Sequence, residues 1–331
     1  MFLKFKNYLK EKYPHIGVIK RTVLAAESYK YYSEKKMNVI IFCYHRIGDN
    51  EPDPYLVNVS IKNFKQQMKY IHDNYKILRL QDRLKNDSRA VVLTFDDGYY
   101  DNYYNALPIL KQYAIPATFF IPTDNVGFEK ELWDQDLLRI LYYRTIDSSL
   151  RIENETVEIN QINLIKNINQ LHSIMLKLNP IARNKIIKLL EAKLKPSIAC
   201  RKMSRLMNEK EIFDLSANEL MDVGVHTCTH TALANLDYNE QLKEISQAKE
   251  KLEKITGKYI DTIAYPFGRK GSHYNDDTLN IVKKLNFFRG VTTNNSQIRA
   301  KTSMFELPRI HVGDWDRDKF RKMMDLYWKL G

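Results

Sequence analysis

Segment 90–98 constrains the fold more than any other part of this 331-residue chain. A short apolar run, Ala-Val-Val-Leu, leads through Thr-Phe to two adjacent carboxylates, Asp96 and Asp97, and then to Gly98. The run is too short and too rich in β-branched residues for a core helix, so it predicts a buried parallel strand. Charged groups directly after such a strand lie at the carboxyl edge of a sheet, where α/β proteins place their active sites.

The two carboxylates are predicted to share one cavity. Gly98 permits a sharp turn after the strand, so both side chains can reach the same side of the sheet. Two like charges this close repel each other, and a proton, a cation or a metal ion has to neutralise one of them. The segment therefore predicts a charged site at one edge of a sheet.

Strands and helices alternate along most of the chain with βαβ spacing, which predicts a parallel sheet. The alternation stops over 128–215, which is mostly helical with a short hairpin near 151–159 and is long for a crossover connection. We interpret this stretch as an inserted helical cap that covers or flanks the site. The predicted strands are 38–45, 90–97, 115–121, 221–226, 262–265, 289–292 and 304–310. The predicted division is an N-terminal basic helical segment (1–36), two parts of one barrel (37–127 and 216–313), the insertion (128–215) and a C-terminal helix (314–331).

Composition narrows the classes of protein that the chain can belong to. Hydrophobic residues make up 44% of the chain, which is ordinary for a globular protein and argues against disorder. The formal net charge of +12 favours anionic partners, namely nucleic acid, a membrane surface or a phosphorylated substrate, or else reflects a lysine-rich solvated surface. The three cysteines, Cys43, Cys200 and Cys228, form no disulfide framework and suit a reducing compartment.

The N-terminal segment leaves two interpretations open. It contains no apolar signal-peptide core, and nowhere does the chain have an apolar run near the ~18 residues that span a bilayer. Phe2, Phe5 and Leu9 fall on one face of a predicted basic helix. This helix either lies in a membrane interface or packs on the body of the protein.

Two histidines four residues apart, His226 and His230, follow another predicted strand. With one carboxylate they supply the two-His, one-carboxylate ligand set of an open catalytic metal site. The His-x-x-x-His pair alone is a weak signal, but the Asp-Asp-Gly turn at a second strand end makes it much stronger. Cys228 lies between the histidines, and we expect it to pack rather than to bind metal.

The loop 265–268, Tyr-Pro-Phe-Gly, follows a third predicted strand. Proline fixes the backbone and glycine permits a tight turn. The loop either aims a backbone N–H at a developing oxyanion or is a simple turn.

Segments 94–98, 226–230 and 265–268 resemble, in this order, the first three motifs of the NodB-homology polysaccharide deacetylases. Segments 43–47 (Cys-Tyr-His-Arg-Ile) and 307–310 (Leu-Pro-Arg-Ile) resemble one branch of that family. The resemblance implies an α/β fold, a distorted (β/α)7-type barrel, here with a helical insertion between the first two motifs. It also implies metal-dependent hydrolysis of acetyl groups from amino sugars.

The resemblance assigns roles to individual residues. Asp97, His226 and His230 would bind a divalent metal, most often zinc, with cobalt and manganese as alternatives. Asp96 would be the general base. The metal and the backbone N–H of Phe267 would hold the oxyanion.

Two departures from the family pattern generate hypotheses. The usual third motif has an arginine where this chain has Ala264, and Arg309 at another strand end is the hypothesised replacement. The usual general acid is a histidine in a late Leu-x-x-His motif, whereas His311 stands one residue out of register. That shift turns a strand side chain to the other face, so His45 is the reserve candidate for the general acid.

We therefore predict a metal-dependent hydrolase that removes N-acetyl groups from an amino sugar of a cell-envelope polysaccharide or of its lipid- or nucleotide-linked precursor. We expect a cytoplasmic protein, peripheral on the inner face of the membrane, with an N-acetylated and lipid-linked or phosphorylated substrate. Nucleic acid is not an expected partner, because no nucleic-acid-binding motif is present. The alternatives are another amide or cyclic imide hydrolase on the same fold and a catalytically silent glycan-binding protein.

Overall fold

A computed structural model describes residues 36–49, 52–84, 88–152 and 155–330. The predicted basic helical segment lies outside these ranges except for Lys36. The strands are β1 (Val39–Tyr44), β2 (Arg46–Ile47), β3 (Asn58–Val59), β4 (Lys76–Leu78), β5 (Ala90–Phe95), β6 (Ala117–Ile121), β7 (Ser148–Ile152), β8 (Glu155–Ile159), β9 (Met221–Val225), β10 (Thr262–Ala264), β11 (Arg289–Val291) and β12 (Ile310–His311). The α-helices are α1 (Ile61–Asn74), α2 (Leu107–Gln112), α3 (Trp133–Tyr142), α4 (Leu164–Leu176), α5 (Pro180–Leu194), α6 (Glu209–Ser216), α7 (Tyr238–Thr256), α8 (Asp276–Lys284) and α9 (Arg317–Leu330).

One parallel sheet organises the larger part of the fold. Its strands run in the order β11-β10-β9-β6-β5-β1-β12, and β4 also pairs with β5. Every residue of β1, β5 and β6 is buried, as expected for parallel strands that are covered on both faces. A parallel bridge between Val291 and Leu307 links the two ends of this order, so the sheet is curled. The predicted distorted α/β barrel is confirmed.

The strand predicted at 304–310 is wrong in extent. Only Ile310 and His311 pair as a strand, against Phe42 and Cys43 of β1. Pro308 provides no N–H to a ladder, so the chain before it makes only isolated contacts with β11.

The insertion has its own apolar core, separate from the core of the sheet. The hairpin predicted near 151–159 is present as the antiparallel pair β7–β8, and α3, α4 and α5 pack with it. Helix α6 instead buries Ile212 and Leu215 in the larger core. The predicted end of the insertion at residue 215 thus stays a prediction. By its packing, α6 belongs with the barrel core. The insertion core consists of Trp133, Leu137, Leu138, Ile140, Leu141, Leu150, Val157, Ile159, Leu164, Ile168, Leu171, Met175, Ile187, Leu190 and Leu194.

Helix α7 positions part of the site and has well-defined ends. Asp237 and Glu240 form a capping box at its start, and Gly257 ends it in the left-handed conformation. This helix presents Glu244 to the loop after β9. Among the described residues, no helix combines the length and the apolar character needed to cross a membrane.

Candidate metal centre and catalytic cavity

The sequence-predicted residues meet at the carboxyl edge of the sheet. Asp96 and Asp97 follow β5, His226 follows β9, and Phe267 lies in the loop after β10. His45 follows β1. Because these strands are parallel, their carboxyl ends lie on one side and bring residues from distant parts of the chain together.

Four residues in these loops adopt a left-handed backbone. The φ angles are 72° at Asp97, 65° at Thr227, 50° at His230 and 61° at Phe267. Side chains other than glycine rarely occupy this region, and such strain concentrates at functional sites. Gly98 is also left-handed (φ 61°), and a Cβ there would lie 2.8 Å from Cγ2 of Ile121. The sharp turn predicted after β5 therefore requires glycine.

Asp97, His226 and His230 form a compact group of potential metal ligands, with their ligand atoms within 4.8 Å of one another. Oδ1 of Asp97 lies 3.3 Å from Nε2 of His226 and 3.1 Å from Nε2 of His230. Nδ1–H of His226 donates a hydrogen bond to the Ala264 carbonyl at 2.8 Å, which turns Nε2 of the ring toward the carboxylate. A carboxylate oxygen and an imidazole nitrogen at this distance need a proton or a cation between them. The donor set and its arrangement fit a divalent metal ion.

The electrostatics favour an ionised Asp97. Burial acts to raise its pKa, but the neighbouring His230 and the hydrogen bonds from both imidazoles hold the pKa well below its ordinary value. Asp97, His226 and His230 are each no more than 5% exposed. Cys228 is not part of this ligand group.

The loop that contains both histidines is held from two sides. On the barrel side, Glu244 accepts hydrogen bonds from the N–H groups of Cys228 and Thr229 at 2.9 Å. On the insertion side, Nε1–H of Trp133 donates to the His230 carbonyl at 2.9 Å, and Arg183 donates to the Thr229 carbonyl at 2.8 Å. The insertion is thus in direct contact with the loop that contains two of the potential metal ligands.

Arg309 lies against Asp96. Its two terminal nitrogens are each 2.6 Å from one carboxylate oxygen, which is a bidentate ion pair. The same guanidinium donates to Oγ1 of Thr94 and to the Thr292 carbonyl, both at 3.0 Å. Burial acts to raise the pKa of Asp96, and Arg309 outweighs it and holds the pKa below its ordinary value. The geometry is what the arginine hypothesis requires, while the effect on rate stays a prediction.

The two candidates for the general acid lie side by side, with ring centroids 5.4 Å apart. His45 lines the same cavity as Asp97, His226 and His230, which we call the catalytic cavity. Its Nδ1 has no hydrogen-bond partner among the described residues. His311 bonds through Nε2 to the Leu56 carbonyl at 2.9 Å and does not line that cavity. Burial lowers the pKa of His45, against the opposing charges of Asp97 and Asp96.

Phe267 contributes both its ring and its backbone to the site. The ring centroid lies 4.9 Å from that of His230, and the Phe267 carbonyl accepts a hydrogen bond from Oγ1 of Thr293 at 2.7 Å. At Gly268, which is left-handed (φ 64°), a Cβ would lie 2.4 Å from the Thr293 nitrogen. The loop is therefore fixed tightly against β11, but the predicted oxyanion role of the Phe267 N–H is not tested.

These residues surround a cavity of about 210 Å³. Several of its lining residues were not predicted as site residues, among them Tyr55, Asp134 and His172. These three belong to no motif and come together where the insertion packs against the loop that contains Tyr55. The lining is His45, Tyr55, Val57, Asp96, Asp97, Tyr99, Asp134, Gln135, His172, His226, His230, Phe267 and Thr293.

A larger cavity of about 480 Å³ lies between the insertion and the loops at the edge of the sheet. Trp133, Asp136 and Arg183 line it. Within the described ranges, the groups of potential metal ligands lie around the smaller cavity, which is therefore the candidate site.

Comparison with known proteins agrees with this geometry. The polysaccharide deacetylase family model matches residues 83–167 and 184–289, more than half of the chain. The poly-beta-1,6-N-acetyl-D-glucosamine N-deacetylase of Staphylococcus aureus (strain MRSA252) is 25% identical over 299 residues, covering 88% of this chain and 79% of the relative. The chain belongs to the polysaccharide deacetylase family, a family of metal-dependent hydrolases, as its motifs predicted.

Solved structures share the fold. The Streptococcus pyogenes deacetylase PplD in complex with acetate is 23% identical, with a TM-score of 0.53 over 88% of this chain and 99% of that one. IcaB from Ammonifex degensii is 17% identical, with a TM-score of 0.55 over 88% of this chain and 97% of that one. These similarities support the barrel and its topology.

Proposed function

We propose that this protein hydrolyses the N-acetyl group of N-acetylglucosamine units in a β-1,6-linked polysaccharide. The observation that supports it most is one cavity in which Asp97, His226 and His230 lie beside the Asp96–Arg309 ion pair. The named activity of the staphylococcal relatives supports this choice of sugar and linkage.

Asp97, His226 and His230 are the proposed ligands, and zinc is the proposed metal. Two imidazoles and one carboxylate suit zinc, with cobalt or manganese as replacements. When bound, such an ion polarises the amide carbonyl and lowers the pKa of water toward ~7. His226 is oriented for this role by its bond to the Ala264 carbonyl, which fixes the ring tautomer.

Asp96 is the proposed general base. Its carboxylate takes the proton from the attacking water, because Arg309 keeps it ionised and fixes its orientation. The water oxygen forms a bond to the carbonyl carbon, and the Phe267 N–H donates to the oxygen that becomes negative. The carbon–nitrogen bond then breaks, so that acetate and a free amine are produced.

His45 is the proposed donor of the proton that the leaving nitrogen needs. Its ring lines the cavity, whereas Nε2 of His311 is already bonded to the Leu56 carbonyl. Burial lowers the pKa of His45, which makes the protonated ring a stronger acid. Replacing His45 with Gln is expected to reduce kcat far more than the same change at His311.

Acetate release tests the proposal. The substrate is a β-1,6-linked N-acetylglucosamine oligomer, with zinc, cobalt, manganese or no metal, and Asp96→Asn is the inactive control. Metal-dependent acetate that disappears in the variant supports the function. A protein that binds metal but releases no acetate favours another amide hydrolase, and one that does neither favours a silent glycan-binding protein.

We further propose a lipid-linked substrate and peripheral contact with the cytoplasmic face of the membrane. The support is the net charge of +12 and three exposed apolar side chains of the insertion, Ile162, Ile165 and Ile181. Binding to anionic phospholipid vesicles is expected to weaken in Ile162→Glu and Ile181→Glu. Leu326→Glu, at an exposed apolar position on α9, is the control, and equal binding by all three variants would refute membrane contact.

A further inference from the structure

One part of the catalytic cavity wall plays no role in the proposed chemistry. We define the recognition wall as Tyr55, Asp134 and His172, which all line the cavity. We infer that Asp134 accepts a hydrogen bond from a ring hydroxyl of the bound amino sugar, with Tyr55 donating beside it. This inference rests on the proposed function and names how the same site selects its sugar.

Asp134 is a buried carboxylate with an unused oxygen. It is 7% exposed, and its Oδ1 has no hydrogen-bond partner in the described part of the chain. The nearby Arg183 directs its terminal nitrogens to the Thr229 carbonyl and Oγ1 of Thr231 instead. Leaving such an acceptor unpaired is costly, so the unused oxygen indicates a ligand group that donates to it.

Asp134 also stands near the start of a helix. It lies in the first turn of α3, where the helix dipole favours negative charge. An exposed side chain at this position would interact with the helix dipole equally well. The helix dipole therefore does not explain why Asp134 is buried in the cavity wall.

Tyr55 supplies a hydrogen-bond donor in the same cavity wall. Its hydroxyl is buried and has no partner within the described residues. Burial, and then the charge of Asp134, raise the pKa of Tyr55, so the hydroxyl keeps its proton. A sugar hydroxyl both donates and accepts, so an acceptor and a donor in one cavity wall are groups that such a ligand satisfies.

His172 completes a surface of ring faces. It stacks on Trp133 at 5.2 Å with an interplanar angle of 21° and lies 5.0 Å from Tyr55 and 6.1 Å from Phe267. Burial lowers the pKa of His172, which favours its neutral form. The negative faces of such rings attract the C–H groups of a sugar.

The size of the cavity fits a single sugar unit. Its volume of about 210 Å³ is below the ~300–1,000 Å³ of cavities that enclose drug-sized ligands. We therefore expect the cavity to read the hydroxyls of the unit that is being deacetylated. In a 1,6-linked chain, the free hydroxyls of that unit are those on carbons 3 and 4.

The experiment compares Asp134→Asn with a matched control, Asp136→Asn. Asp136 lies on the same helix, but it pairs with Arg139 and lines the larger cavity. The zinc-loaded proteins are assayed on a β-1,6-linked N-acetylglucosamine oligomer and on analogues that lack the 3- or 4-hydroxyl. Thermal unfolding of each variant is measured alongside.

For Asp134→Asn, kcat/KM on the full oligomer is expected to fall about 10- to 100-fold, the usual effect of losing a hydrogen bond to a charged group. KM should account for most of the fall, because the contact is present before and during the reaction. On the analogue that lacks the recognised hydroxyl, wild type and Asp134→Asn should be equal. Tyr55→Phe should lose about 3- to 10-fold, as for a neutral hydrogen bond.

Two results would overturn the inference. One is an equal loss for Asp134→Asn on the oligomer and on both deoxy analogues. The other is kinetics like those of Asp136→Asn, with only the unfolding temperature lowered, which would assign Asp134 a helix-stabilising role.

A binding measurement separates this inference from the proposed function. Affinity for the oligomer is measured by calorimetry in the Asp96→Asn background, where no turnover occurs. If wild type releases no acetate but Asp134→Asn still weakens binding tenfold or more, the deacetylase proposal fails and sugar recognition stands. If Asp134→Asn leaves this affinity unchanged, or the oligomer does not bind at all, the recognition inference fails.

Discussion

The catalytic cavity has carboxylates of two kinds, and their partners differ. Asp96 and Asp97, at the edge of the sheet, are paired with Arg309 and with two imidazoles. Asp134, on the insertion, is as buried but has an oxygen without a partner in the described ranges. The barrel thus pairs its charged groups within the fold, while the insertion leaves one carboxylate oxygen available to a ligand.

The largest effect on activity is expected when one of the proposed metal ligands of the barrel is removed. His226→Gln is expected to lower kcat/KM at least about a thousandfold, because both the metal and its chemistry are lost. Metal content and acetate release are measured together, and chelation of the wild type should reproduce the loss until zinc is restored. His72→Gln, on the exposed part of α1, is the control. Full activity in a metal-free His226→Gln protein would contradict the assignment.

The next largest effect is expected at Arg309. Arg309→Met should reduce kcat about 100-fold, since Asp96 would lose its orientation and part of its charge stabilisation. Metal affinity should change little, because Arg309 bonds Asp96 and not the ligand group. Arg309→Lys should recover only part of the rate, as lysine cannot form the bidentate pair.

Arg289→Met serves as the matched control for loss of a buried arginine from the same sheet. Arg289 bonds to the Leu80 carbonyl and does not line the cavity. If both methionine variants lose the same activity and the same stability, Arg309 has only a structural role.

A smaller effect is expected where the insertion supports the barrel. Trp133→Phe removes the hydrogen bond to the His230 carbonyl while keeping an aromatic ring. Metal affinity should fall about 10-fold, as for other groups that orient metal ligands. Competition with a chromogenic chelator measures it, and Trp315→Phe is the control. Unchanged affinity would mean that the metal loop does not depend on the insertion.

The smallest effect concerns the three cysteine thiols. Their alkylation rates measure how readily each region of the fold opens to solvent. Burial raises the pKa of Cys43, that of Cys228 to about 12 and that of Cys200 to about 11. All three should therefore react slowly with iodoacetamide at pH 8 in the folded protein. Mass spectrometry should find Cys200 modified first and Cys43, beside Asp96, last. The reverse order would show that the sheet edge opens more readily than the insertion.

The site residues that the sequence predicted best are those at the ends of strands. The apolar run before Asp96 predicted β5, and the strand before His226 predicted β9, so parallel pairing alone brought their ends together. The arginine beside Asp96 could also be proposed, because the third motif lacks its usual arginine and Arg309 lies at the end of a predicted strand. The predicted roles of these residues await the experiments above.

The recognition wall could not be predicted in the same way. Tyr55, Asp134 and His172 are distant in the chain, and they meet only where helices of the insertion pack against the loop that contains Tyr55. The sequence also could not show which face of the sheet His311 occupies. The strand there has only two residues, Ile310 and His311, and His311 pairs with Cys43.

The left-handed residues around the candidate metal site have a consequence for folding stability. Asp97 and His230 hold backbone conformations that cost of order 1–3 kcal/mol each outside glycine. The metal-free protein therefore gives up folding free energy to hold these two side chains in place, and a metal ion that binds only the folded state would restore part of it.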